Sequence, residues 1–181
     1  MGVKFQLLII MVLLTVASPV MAENREGAVT FSPFFGILTF SDGDEHLDTD
    51  FAMGFRGGYN FTRQLGAELL LGYTETVQDP QEIRANLYRY GADVLYHFRP
   101  DKALVPFVAA GLGGFTEDYS RVLHDQTNFY LNYGGGVEYA LADWLALRGD
   151  LRHAVVFGGG HNNLEISMGL KFQFGGINNA Q

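Results

Sequence analysis

Leu164-Glu165-Ile166-Ser167-Met168-Gly169-Leu170-Lys171-Phe172-Gln173-Phe174 decides how this chain folds. Large apolar and polar or small residues alternate along it without a break. In an extended strand successive side chains point to opposite faces. Leu164, Ile166, Met168, Leu170, Phe172 and Phe174 therefore share one face, and Glu165, Ser167, Gly169, Lys171 and Gln173 share the other. A helix would mix the two sets around its circumference, so the period of two predicts a strand.

The same pattern recurs upstream. In Phe129–Tyr139, Phe129, Leu131, Tyr133, Val137 and Tyr139 oppose Tyr130, Asn132, Gly134, Gly136 and Glu138. In Asn86–Phe98, Tyr88, Tyr90, Val94, Tyr96 and Phe98 oppose Arg89, Gly91, Asp93 and His97. Phe51–Phe61 sets Phe51, Met53, Phe55, Tyr59 and Phe61 against Ala52, Gly54, Arg56, Gly58 and Asn60. Four less regular runs complete the set: 29–40, 67–76, 104–115 and 145–156. Pro33 interrupts the first, where a ladder tolerates it poorly. Leu70 falls on the polar side of the second, and Leu145–Val156 sets Arg148, Asp150 and Arg152 on one face. The reading is all-β, with eight antiparallel strands.

The composition of the polar faces separates a barrel from a soluble sandwich. A face turned to water gains nothing from glycine, which is a poor strand former. Glycine inside a narrow barrel leaves room for long side chains from neighbouring strands. The charges on these faces also balance: Arg56, Arg89, Arg148, Arg152 and Lys171 against Glu68, Asp93, Glu138, Asp150 and Glu165. Unpaired buried charge is costly, so equal numbers predict a paired network filling a closed lumen.

The outward faces predict a bilayer around that barrel. Tyr59, Phe61, Tyr96, Phe98, Tyr139, Phe172 and Phe174 fall near the turns 62–65, 99–103 and 141–143 or the chain end. Phe51, Tyr73, Tyr88 and Phe129 fall at the opposite strand ends. Aromatic residues gather at both membrane–water interfaces, so the strands read as membrane-spanning. Connections at the second end, 41–50, 77–85, 117–127 and 158–163, are expected to be long loops, against short turns at the first. Trp144 sits on the polar side of its alternation, where the pattern gives it no place.

The first residues set the compartment. Lys4 precedes the apolar run Phe5–Val16, and Val20 and Ala22 satisfy the small-residue rule for cleavage before Glu23. Residues 1–22 are expected to be a signal peptide, 23–174 an outer-membrane β-barrel, and 175–181 a short flexible tail. The chain has no Cys, hence no disulfide framework and no thiolate metal site. Its net charge of −8 comes from 12 basic and 20 acidic residues. Losing Lys4 makes it more acidic still, which argues against nucleic acid as a partner.

Catalytic and cofactor chemistry find little purchase. His153, His161, Glu165 and Ser167 lie close in sequence, but Glu165 and Ser167 alternate inwards and no serine adjoins His161. Asp42, Asp44, His46, Asp48 and Asp50 lack the glycine and distal glutamate of a calcium loop. They read instead as a solvated acidic loop facing lipopolysaccharide phosphates through divalent ions. Gly134–Gly136 and Gly158–Gly160 lead into no helix, so they cradle no phosphate. No enzyme, catalytic residue, metal or cofactor is expected.

Three stretches carry a family resemblance: Val105-Pro106-Phe107-Val108-Ala109-Ala110-Gly111-Leu112-Gly113, Tyr133-Gly134-Gly135-Gly136-Val137-Glu138-Tyr139 and Leu145-Ala146-Leu147-Arg148-Gly149-Asp150-Leu151-Arg152. With them the chain resembles the outer-membrane β-barrel domain family, close to the N-terminal transmembrane domain of OmpA-type proteins. The resemblance covers essentially the whole chain after residue 22. It implies a Gram-negative outer-membrane location, surrounding lipid and lipopolysaccharide as partners, and a monomer. Leu170, Phe172 and Phe174 resemble the terminal aromatic signal read by the barrel-assembly machinery. The wall-binding domain that often follows in OmpA-type proteins is not represented, so wall tethering is not carried over. The expected function is a structural, envelope-integrity or surface-interaction barrel with a plugged lumen. The alternatives are a small channel and, further off, a lipid A-modifying enzyme.

Overall fold

The computed structural model describes residues 24–41, 47–78, 83–119, 126–157 and 162–177. The expected signal peptide lies outside the described residues, as do loop residues 42–46, His124, His161 and the chain after Ile177.

Eight strands follow one another in chain order: β1 (Glu26–Ser41), β2 (Leu47–Asn60), β3 (Leu65–Gln78), β4 (Ile83–His97), β5 (Leu104–Tyr119), β6 (Gln126–Ala142), β7 (Leu145–Val156) and β8 (Asn162–Ile177). Each pairs antiparallel with the next, and β8 pairs with β1 to close a barrel. Closure removes every sheet edge, the condition for sheet to cross a bilayer.

The register fixes the barrel's shape. Crossing between paired residues from Thr39 through Leu164, His153 and Tyr133, and onward round the barrel, returns to β1 at Val29, ten residues away. That stagger over eight strands tilts them by about 40° from the barrel axis. Phe129 and Tyr139, ten residues apart on β6, then lie about 25 Å apart along the axis, the height of an outer-membrane apolar band. Leu69, Leu71, Leu112, Ile166 and Met168 are exposed between these levels, as lipid requires.

The aromatic ends hold one another in place. Tyr59 packs edge-on to Phe61 at 5.3 Å, and Tyr96 does the same to Phe98 at 5.1 Å. Trp144 sits in the β6–β7 turn, more than half exposed, and stacks on Phe172 at 6.1 Å. It belongs to the turn-end belt rather than to either face of β7.

One expectation needs correcting. The connections do not alternate between short and long. Those at the loop end occupy 42–46, 79–82, 120–125 and 157–161, four to six residues each, against two to six for 61–64, 98–103 and 143–144 at the turn end. The hairpin ladders run on into the expected loops. Backbone pairing needs no apolar face to continue, so alternating hydropathy stops marking the strands where the outer surface becomes polar. Thr39 and Thr49, and Thr116 and Thr127, form hydroxyl pairs across the ladder at 3.1 and 3.2 Å there. β8 likewise runs three residues past Phe174, with Gly175 and Gly176 at positive φ.

Pro33 stays within β1. It pairs in register with Phe55 on β2, whereas the β1–β8 ladder steps from Phe31↔Phe172 to Phe34↔Gly169. Pro33 has no N–H to donate, so the seam skips it.

Candidate functional site

The lumen carries the chemistry, and the inward glycines make it habitable. A Cβ on Gly54 would stand 2.8 Å from Phe34 Cζ, and one on Gly134 would stand 3.0 Å from Arg152 Cδ. The space these glycines give up is the space their neighbours' long side chains occupy.

All ten charged residues singled out from the alternation lie inside the barrel, each no more than 9% exposed. Arg148 is the hub. Its Nη1 and Nη2 donate to Glu68 at 2.7 and 2.9 Å, while Nε and Nη2 donate to Asp150, both at 2.9 Å. Arg152 joins Glu68, Asp93 and Asp150 at 3.1 Å each. Arg56 donates to Glu165 at 2.7 Å and stands 3.5 Å from Asp150. Arg89 completes this mesh on the other oxygen of Glu165. Asp93 accepts a further bond from Asn132 at 2.7 Å, and Ser167 both donates to Glu165 and accepts from Arg56.

Lys171 and Glu138 stand slightly apart, paired to each other at 2.7 Å and tied to the hub through Arg148, 4.0 Å from Glu138. Two rings line the mesh. The Arg56 guanidinium lies 3.8 Å over Phe34, and that of Arg148 4.7 Å over Phe107. Bidentate guanidinium–carboxylate bonds and cation–π contacts offset the cost of taking these charges out of water.

Both ends of the lumen are filled, by different means. At the loop end Leu38, Ala52, Leu87, Phe115, Tyr130 and Val156 form one buried apolar cluster drawn from six strands. Phe115 and Tyr130 stack at 6.4 Å, and Tyr130 donates to the Tyr90 carbonyl at 3.3 Å.

At the turn end the stopper is polar and begins with Asn24, which is 5% exposed. Its N–H donates to the Pro100 carbonyl at 2.9 Å and its Nδ2 to that of Arg63 at 3.0 Å. Its Oδ1 accepts from Asn60 at 2.9 Å and from Lys171 at 3.2 Å. Arg25 reaches Gln173 through its backbone N–H and its Nη2. His97 is buried beside this group, with Nδ1 3.2 Å from the Gln64 carbonyl and Nε2 3.7 Å from Glu138.

The sequence singled out Lys171 of the polar stopper, but neither Asn24 at its centre nor the apolar stopper as a group. The apolar one had a legible signal: Leu38, Leu87, Phe115, Tyr130 and Val156 all fall on the polar parity of their strands, near one end. Asn24 had none, because it precedes β1 and belongs to no alternating run.

The remaining residues sort by face. Phe174 and Leu170 are exposed on the outer face of β8, with Phe172 half-buried between them. His153 packs on Tyr133 at 5.2 Å on the outer face, whereas Glu165 and Ser167 are buried in the lumen. The sheet separates that histidine from that serine, so they form no nucleophile–base pair. Among the described residues no cluster of His, Asp and Glu has the makings of a metal site.

The outer membrane protein beta-barrel domain family matches residues 8–174 of the chain. Comparison with curated protein sequences gave no match. Among solved structures, Neisserial surface protein A is 21% identical with a TM-score of 0.70, the match covering 82% of this chain and 100% of that one. Ail, the attachment invasion locus protein of Yersinia pestis, is 15% identical at a TM-score of 0.59, over 82% of this chain and 99% of its own. The N-terminal β-barrel domain of Pseudomonas aeruginosa OprF is 22% identical at a TM-score of 0.58, over 83% and 99%. At these identities the structural likenesses speak for the fold.

Proposed function

We propose, from the premise that this chain belongs to the outer membrane protein beta-barrel domain family, that it is a plugged barrel serving envelope integrity or surface contact. Its place is the outer membrane of a Gram-negative cell. The single observation that carries the reading is the apolar cluster across the loop end of the lumen. An ion passing that cluster would shed most of its water against Phe115, Leu38 and Leu87, whose side chains offer no polar group in exchange. Beneath that cluster the charges are mutually paired, and a paired mesh has little to offer a passing ion without first breaking its own bonds.

A barrel closed in this way acts through its surfaces. The hairpins that run on beyond the outer aromatic belt provide paired strands for contact outside the cell, while surrounding lipid and lipopolysaccharide meet the apolar belt. Attachment and invasion belong to the name of Ail; for this chain, surface contact is supported by the extended ladders alone. The outward Leu170, Phe172 and Phe174 suit recognition by the barrel-assembly machinery, and a single chain completes the barrel as a monomer. The separation of His153 from Ser167 supports a role without catalysis.

Planar-bilayer recording of the refolded barrel tests this. Electrical silence from a folded, heat-modifiable protein is the expected result. Reproducible unitary steps would sink the plugged reading and make the charged mesh a filter.

A further inference from the structure

Between the apolar stopper and the charged mesh lies a cavity of about 30 Å³. Arg89 of β4, Asn132 of β6 and Asn163 of β8 line it, at 9%, 7% and 4% exposure. Each carries one buried polar atom with no hydrogen-bond partner in the protein: Nε of Arg89, Oδ1 of Asn132 and Oδ1 of Asn163. The first two side chains are anchored elsewhere. Arg89 Nη2 donates to Glu165, and Asn132 Nδ2 donates to Asp93 at 2.7 Å. Their unpartnered atoms are therefore held where they are, in a region where most buried polar groups find a mate.

The hydrogen-bond complement identifies the occupant. It must accept from a guanidinium N–H and donate to two amide oxygens. An anion only accepts. A metal cation would take the oxygens but would face Arg56, Arg89 and Arg152 along the same wall, where the two carboxylates, Asp93 and Glu165, are already held by those arginines. Water does both, and roughly 10–15 Å³ of such space admits one molecule. We infer that this cavity is a binding site for one or two trapped water molecules, shared by Arg89, Asn132 and Asn163. The bound water extends the mesh to Asn163 and links β4, β6 and β8 beneath the stopper. That the water is trapped rests on the closed-lumen reading; that it is bound rests on the three polar atoms.

The test is nuclear Overhauser transfer from water to the side-chain amides of Asn132 and Asn163 in the refolded barrel. Cross-peaks with the sign of long-lived water are the expected result. Their absence overturns the inference while leaving the closed lumen standing. Cross-peaks from rapidly exchanging water overturn trapping and the closed lumen together. Asn163→Leu supplies a second readout. If water bridges the site, the substitution strands Arg89 Nε and Asn132 Oδ1 and lowers the unfolding midpoint. If the cavity is dry, apolar filling raises the midpoint, and the inference fails.

Discussion

The lumen ends in hydrocarbon on one side and in hydrogen bonds on the other. Leu38, Leu87, Phe115 and Val156 close the loop end by contact alone, and a methyl group displaced by a fraction of an ångström still excludes water. Asn24, Asn60, Gln173 and Lys171 close the turn end through directed bonds between 2.9 and 3.3 Å, each of which fails if its partner moves. The apolar end is assembled from six of the eight strands. The polar end is tied together by Asn24 and Arg25, which precede the first strand. Sealing and anchoring are thus divided between the two mouths.

The part they share offers the largest effect. Arg148→Ala leaves Glu68 and Asp150 buried without their main partner and is expected to cost about 3–5 kcal/mol in urea unfolding from lipid vesicles. Both ends should loosen together. A variant as stable as the parent would mean that the mesh does not share load and that the two ends are independent.

Phe115→Ala attacks the loop end alone. It opens a cavity in the stopper and is expected to cost about 3 kcal/mol, with current steps appearing in planar bilayers. Lost stability without conductance would show that the charged mesh seals the lumen unaided.

Asn24→Ala attacks the turn end. A loss of about 1–2 kcal/mol is expected, together with faster labelling of Lys171 by an amine reagent added from the turn side. Unchanged labelling would deny Asn24 its part in the closure. The smallest effect belongs to Trp144→Ala. Removing its stack on Phe172 should cost about 1 kcal/mol in the same assay without altering conductance or labelling, since it lies outside the lumen.

The alternating faces made the barrel legible because each strand is half lipid and half lumen, a division that hydropathy records directly. The charged residues were legible for the same reason: Arg56 and Glu165 stand on the polar parity of β2 and β8, and closure brings them together. Their individual partners were not. That Arg148 meets Glu68 four strands away depends on stagger, which no single strand encodes. Strand ends escaped too, because Thr49 and Thr127 remain in the ladder after the apolar pattern has stopped. Asn24 was illegible for a plainer reason. A single polar residue outside any periodic run has no local signature, and only the turns around Arg63 and Pro100 give it meaning.

The seam between β1 and β8 has a consequence in time. Glu26 pairs with Ile177, so the first strand waits for the last before either has a second neighbour. Contacts of such sequence separation are slow to form, and until they form two unpaired edges stand open. Asn24 cannot hold Lys171 before that moment. The turn-end stopper is therefore a record that the chain has finished: a barrel abandoned partway has no bottom.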